Sequence, residues 1–219
     1  MMSERKTRQN MEDAISQQLL LQCDIISLNA DIYSLMSGYL RREEFLNFLH
    51  TTKHVHDEYI EYRHLPLNTK YSLLYNENED FRQRISSLIT DPRRQLCLNL
   101  SNCTSLTDVS ALGRVHTLKL SGCSSITDVS ALGGVHTLDL FRCSSVTDVS
   151  ALGGVHTLKL SCCSSITDVS ALGGVHTLDL FRCSSVTDVS ALGGVHTLKL
   201  SCCSSITDVS ALGGVHTLD

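Results

Sequence analysis

Residues 115–134 read VHTLKLSGCSSITDVSALGG, and residues 135–154 read VHTLDLFRCSSVTDVSALGG. The two segments align without a gap, so this part of the chain repeats every 20 residues, with Asp108, Asp128, Asp148, Asp168, Asp188 and Asp208 as markers. A period of 40 overlies it, because LKLS and LDLFR alternate; residues 121–160 and 161–200 differ only in Gly122 against Cys162. Within one period the apolar positions are Val115, Leu118, Leu120, Cys123, Ile126, Val129 and Leu132, returning at Val135, with steps of 3, 2, 3, 3, 3, 3 and 3. A helix would step by about 3.6 and a half-buried strand by 2, and this pattern is neither. The single step of two places a short strand at Thr117 to Leu120, followed by a wide turning path that keeps one side inward. One such unit buries too little to fold alone and must stack on its neighbours.

Outside the repeats the composition changes. The chain has 219 residues, a formal net charge of −5, 42% hydrophobic and 19% charged residues. Residues 1–94 hold all 6 Tyr, both Pro and every Glu; residues 95–219 hold 12 of the 13 Gly and 9 of the 10 Cys. Lys plus Arg against Asp plus Glu is 12 against 14 in the first part and 6 against 9 in the second. Neither part is the polycation that releases counterions from nucleic acid. Leu19 to Leu28, the most apolar stretch near the start, is interrupted by Gln22 and Asp24 and is shorter than the ~18 residues of a membrane span. Charges of both signs precede it, which makes a poor secretory signal. No nucleic-acid or membrane partner is expected.

The residues V-x-x-L-x-L-x-x-C-x-x-I-T-D-x-x-x-L, recurring six times in register, resemble a leucine-rich repeat of the cysteine-containing kind at the short end of the family's range. The resemblance covers residues 95–219, as six repeats and a truncated seventh, and implies an α/β right-handed solenoid with a parallel sheet on its concave face. It also implies that Cys103, Cys123, Cys143, Cys163, Cys183 and Cys203 form a structural ladder in which each buried thiol bonds a loop carbonyl. Metal or disulfide use of that column is the weaker alternative, since buried Cys behaves as a small hydrophobe. Cys162 and Cys202 are extra, two strands or about 10 Å apart, too far to bridge. Free thiols point to a reducing, cytoplasmic setting, including a host's cytoplasm or nucleus.

The Asp column precedes V-S-A-L, a short turn of 3₁₀ or α type for which Asp is a favoured N-cap. Calcium binding by stacked Asp is disfavoured, because hard cations need several oxygens converging on one point. The Gly pairs from Gly133–Gly134 onward are expected to supply positive φ where the chain re-enters the strand. His116, His136, His156, His176, His196 and His216 form a column about 5 Å apart. Protonated neighbours there would repel, so stability is expected to fall below about pH 6.5.

Side chains flanking the strand leucines point outward, toward a concave face read here as the partner-binding surface: Lys119, Asp139, Phe141, Arg142, Lys159, Asp179, Phe181, Arg182 and Lys199. The Lys and Asp alternate in sign from strand to strand, ending on Asp219, which is mildly favourable. Phe and Arg are residue types enriched in binding hot spots. Val195, Leu198, Leu200, Ile206, Val209 and Leu212 are covered only by Val215 to Asp219, so the expectation is either a longer array of which this is a fragment or self-association through an uncapped C-terminal end.

Ahead of the repeats, residues 1–24 read as an N-terminal tail, 25–62 as a small all-α domain, and 63–94 as a linker with an N-terminal capping helix. In the all-α domain, Ile32, Leu35, Met36 and Leu40 have helical spacing, as do Phe45, Leu46 and Leu49. With Leu28, Asp31, Tyr39, Glu43 and Lys53 they resemble an F-box, departing at Asn29, where the motif prefers Pro, and at Val55, where it has Trp. That resemblance implies docking on a Skp-type adaptor of a cullin-RING ubiquitin ligase through Leu28, Ile32, Leu35, Met36, Leu40 and Leu49, with the repeats presenting an unknown substrate protein. The array is also similar to repeat proteins of giant DNA viruses. The alternative is a structural or host-interaction scaffold whose helices only cap the solenoid. Phe81, Ile85, Leu88 and Ile89 share one face of a helix starting near Asn78 to Asp80 and ending before Pro92, placed to close the first repeat. His50, His54 and His56 lack the Cys or HExxH company of a metal site. No phosphate loop, nucleophile elbow or zinc tetrad appears, so no catalytic residue, cofactor or metal is assigned, and the chain is read as non-enzymatic.

Overall fold

The computed structural model describes residues 64–88 and 95–219. The F-box-like residues 25–62, with Leu28, Ile32, Leu35, Met36, Leu40 and Leu49, and the tail before them lie outside the described residues, as do Ile89 and Pro92. The chain divides into two compact units. One comprises His64–Arg82 with Arg93–Asp219; of the other, the described residues are Gln83–Leu88.

The larger unit is built on one sheet of eight parallel strands in chain order: β1 (His64–Leu67), β2 (Gln95–Asn99), β3 (Thr117–Lys119), β4 (Thr137–Asp139), β5 (Thr157–Lys159), β6 (Thr177–Asp179), β7 (Thr197–Lys199) and β8 (Thr217–Leu218). From β3 onward each residue faces the one twenty positions later: Thr117 opposite Thr137, Leu118 opposite Leu138, Lys119 opposite Asp139. Between strands the chain returns through a 3₁₀ turn, Ser130–Gly134 in one coil and Ser150–Gly154 in the next. A run of three-residue steps suits this tighter helix, whose side chains recur every three residues. The path of this unit from β2 onward is a stack of twenty-residue coils, the solenoid expected from the repeat.

The apolar positions of each coil converge. Val115, Leu118, Leu120, Cys123, Ile126, Val129 and Leu132 are all buried to within 1% of full, and their counterparts in the next three coils likewise to within 2%. Adjacent coils also share backbone hydrogen bonds outside the strands: the Leu120 N–H donates to Asp139 O at 2.8 Å, and the His116 carbonyl accepts from both His136 and Thr137 at 3.0 and 2.9 Å. In the last coil Val209 and Leu218 are half exposed.

The Gly pairs do a different job from the one expected. Among the described glycines only Gly122 has positive φ, at 75°. A Cβ on Gly133 or Gly153 would overlap the Ala151 or Ala171 carbonyl oxygen of the next coil, and one on Gly134 would come within 2.8 Å of Gly113 O. They are glycines because successive 3₁₀ turns stack backbone on backbone. Positive φ falls instead on the residue before each ladder cysteine: Asn102 (62°), Arg142 (59°), Cys162 (62°), Arg182 (59°) and Cys202 (65°), with Gly122 completing the series.

Residues 63–94 hold more than one helix. Strand β1 faces β2, His64 opposite Gln95 and Leu67 opposite Leu98, and its Pro66 is tolerated because β1 is the edge of the sheet. Helix α1 (Thr69–Glu77) follows, N-capped by the Asn68 carboxamide, which accepts from Tyr71 N at 3.1 Å. It packs on β1 and β2 and buries Tyr71, Ser72 and Tyr75. The Ser72 hydroxyl donates to Leu67 O at 3.1 Å and accepts from Asn99 N at 3.0 Å, and Asn76 Nδ2 donates to Asp108 O at 3.0 Å. Thus α1 packs on the first two strands of the stack, ahead of the helix expected from the sequence. Helix α2 (Glu79–Leu88) begins where expected, on an Asn78 cap that accepts from Phe81 N at 2.8 Å, and carries Glu79 and Asp80 in its first turn, where the helix dipole favours them. Phe81 and Ile85 are buried.

Candidate functional site

Each short strand turns its leucine inward and leaves its flanking residues on the open face of the sheet. Lys119, Asp139, Lys159, Asp179 and Lys199 line up opposite one another across β3 to β7. The three lysines are exposed and the two aspartates half-buried. Asp139 Oδ1 accepts from the Phe141 N–H and Asp179 Oδ1 from the Phe181 N–H, both at 3.0 Å, so each folds the turn that presents its Phe. Asn99 does the same for Ser101 at 3.1 Å. An open groove of ≈ 410 Å³ runs along this face, with Asp139, Phe141, Lys159, Ser161, Asp179 and Phe181 among its walls.

Phe141 and Phe181 occupy the position held by Ser121, Ser161 and Ser201 in the alternate coils. The Arg142 guanidinium lies 4.9 Å from the centre of the Phe141 ring, and that of Arg182 5.1 Å from the Phe181 ring, cation–π distances in both cases. Both Arg are exposed at positive φ, a backbone state unusual for a long side chain. The face therefore repeats every two coils: a serine step, then an aromatic ring with a cation laid over it. The turn-forming role of Asp139 and Asp179 is not visible from their alternation with lysine; the Asp-x-Phe spacing, matching Asn99-x-Ser101, is the signal that carries it.

The other repeated columns are committed to the fold. Cys123, Cys143, Cys163, Cys183 and Cys203 each donate Sγ–H to a carbonyl of the previous coil, Leu100, Leu120, Leu140, Leu160 and Leu180, at 3.0–3.1 Å. Cys103, first of the column, is half exposed. Burial pushes the Cys143, Cys163 and Cys183 thiols up to about 12. They are proton-bearing donors at neutral pH, the opposite of a nucleophilic thiolate. Each Asp of the marker column accepts from the Ser N–H two residues on, at 2.8–2.9 Å, and that backbone bond holds its carboxyl below the usual value. The Asp caps its turn from two residues ahead of the first 3₁₀ residue. Among the described residues no group of three His, Cys, Asp or Glu is placed to hold a metal ion, and no helix is long and apolar enough to cross a membrane.

The histidines form a continuous stack. Ring centres from His116 to His196 are 4.5–4.6 Å apart and within 9–13° of parallel, and each Nδ1 lies 3.1–3.3 Å from the next residue's Thr hydroxyl. Partial desolvation within the stack, then the charge His176 and His216 would carry, lower the His196 imidazole below its ordinary value.

No protein-family model matches the chain, and no curated protein matches it. Among solved structures, an internalin (inlF) of Listeria monocytogenes is 24% identical and matches over 57% of this chain and 40% of its own, with a TM-score of 0.45. An internalin C2 of the same organism is 21% identical over 57% of this chain and 67% of its own, with a TM-score of 0.29. The chain spans less than half the length of the first internalin.

Proposed function

We propose that the chain is a non-enzymatic protein-interaction scaffold that holds its partner on the open strand face. The observation that carries this is the pair of Phe rings lining the groove, Phe141 and Phe181, each with an Arg guanidinium over it. Stacked coils with shared hydrogen bonds make a preorganised platform, so little entropy is lost there on binding. Aromatic and Arg side chains are the anchors such interfaces use. A partner selected from a displayed protein library should slow hydrogen exchange in residues 117–121, 137–142, 157–161 and 177–182. Slowing confined to the 3₁₀ turns on the other side would overturn the assignment.

The finer reading is a substrate adaptor. The F-box-like residues 25–62 would dock on a Skp-type adaptor, leaving the strand face to present a target. Support comes from the sequence resemblance alone. Recovery of the adaptor by the chain, lost in Ile32→Asp and Leu40→Asp variants, is the expected result. No recovery, or recovery indifferent to both changes, would leave the scaffold reading without the ligase. The unbridged thiols among the described residues, with Cys202 exposed, favour a reducing intracellular setting for either reading.

A further inference from the structure

We propose that the strand face recognises an extended segment in the polyproline-II conformation, laid across the strands, with one apolar and one acidic residue in every triplet. This rests on the reading of that face as the binding surface and names the class of ligand it takes.

The spacing carries the inference. Phe141, Ser161 and Phe181 lie on three successive coils, joined by hydrogen bonds from Arg142 N to Ser161 O at 3.0 Å and from Cys162 N to Phe181 O at 2.8 Å. Strands in a sheet are about 4.8 Å apart, so the two aromatic positions recur at about 9.6 Å. A polyproline-II chain rises about 3.1 Å per residue with three residues per turn, presenting one side every ~9.3 Å. A β-strand presents one side every ~6.6 Å, and two turns of α-helix cover ~10.8 Å. Only the first fits to a few tenths of an ångström. Ser161 is 6% exposed and floors the interval between the rings, a slot for the apolar residue of each triplet.

The backbone points the same way. The internal strands are paired on both sides, so the face offers no free strand edge and must bind through side chains. Polyproline II has no internal hydrogen bonds and needs none from its receptor, because its backbone stays solvated. Charge then sets the third residue. Lys119, Arg142, Lys159, Arg182 and Lys199 are exposed, while Asp139 and Asp179 are half-buried with one oxygen engaged by a backbone N–H. Each two-coil interval thus offers one Lys and one Arg to an acidic side chain.

The test is fluorescence anisotropy of the full chain with a labelled fifteen-residue peptide of five Pro-Pro-Glu triplets. Saturable binding is expected, weakening with salt, and at least about tenfold weaker for a Phe141→Ser, Phe181→Ser variant. That variant installs the residue the chain itself uses at Ser121, Ser161 and Ser201, and an unchanged thermal midpoint verifies its fold. Five Pro-Pro-Lys triplets and five Gly-Ser-Glu triplets should each bind at least about tenfold more weakly. Equal affinity for the Gly-Ser-Glu peptide, or no loss in the variant, would reduce the effect to bulk charge and overturn the proposal. If the Pro-Pro-Glu peptide fails while a folded partner still protects the same strands from exchange, this inference falls and the scaffold reading stands. If nothing protects those strands, both fall.

Discussion

At Gly153 a single methyl group has nowhere to go: it would overlap the Ala171 carbonyl oxygen, whereas at Gly213 nothing lies within 4 Å. The same substitution in the same motif should therefore have opposite outcomes. Gly153→Ala is expected to destabilise by about 1–3 kcal/mol, the usual cost of overpacking, and Gly213→Ala to be neutral or stabilising by up to about 1 kcal/mol, because it restricts the unfolded chain. Urea unfolding of both variants checks this; an equal loss at both positions would mean the pair acts through backbone conformation. The thiols make a second contrast. Buried, hydrogen-bonded Cys143, Cys163 and Cys183, with their raised values, should resist iodoacetamide at pH 8 until the chain unfolds, while exposed Cys202 is modified in the native state. Peptide mass mapping reads the order. Which residues recur is plain from the sequence; why they recur is not. A constant glycine looks the same whether positive φ or a close neighbour demands it, and Arg142 at φ 59° breaks the rule that would have located the left-handed position.

At the scale of elements, the histidine stack ties stability to pH. The His196 imidazole is held below its ordinary value, so the folded state disfavours the proton. Its contribution is intact above the unfolded value of about 6.5 and is lost as pH falls below it. The marker aspartates shift downward too, so their contribution is intact above about pH 4 and is lost only in more acid solution. A thermal midpoint lower at pH 5 than at pH 7.5, with the difference reduced in His196→Gln, is the expected outcome; equal midpoints would show that the stack does not sense protons. The three-residue rhythm made the coils legible as a short strand followed by a wide turning path; that the return is a 3₁₀ turn is what the structure adds. Strand β1 was not legible: HLPL is four residues long and contains a proline, and only its place at the edge of the sheet makes it a strand. Helix α1 was hidden for a related reason, since its buried face is two tyrosines and a serine that bonds both neighbouring strands.

For the molecule as a whole, folding and recognition are assigned to different residues of the same coil. The positions that repeat every twenty residues, the leucines, valines, ladder cysteines and turn glycines, hold the coils together. Among the positions that repeat only every forty, Phe141 and Phe181, against Ser in the alternate coils, line the groove, each with the following Arg over its ring, while the conservative Ile126–Val146 alternation stays in the core. The chain shows that such alternation is compatible with the fold, because coils of both kinds stack in the same register. The measurement that tests this division most directly is the thermal midpoint and the partner affinity of one variant, Phe141→Ser, Arg142→Gly, Phe181→Ser and Arg182→Gly together. The division predicts a midpoint within a few degrees of the parent, since surface changes away from the core move stability by only about 0.5 kcal/mol each, and affinity reduced at least about a hundredfold. Undiminished affinity, with the fold intact, would contradict it.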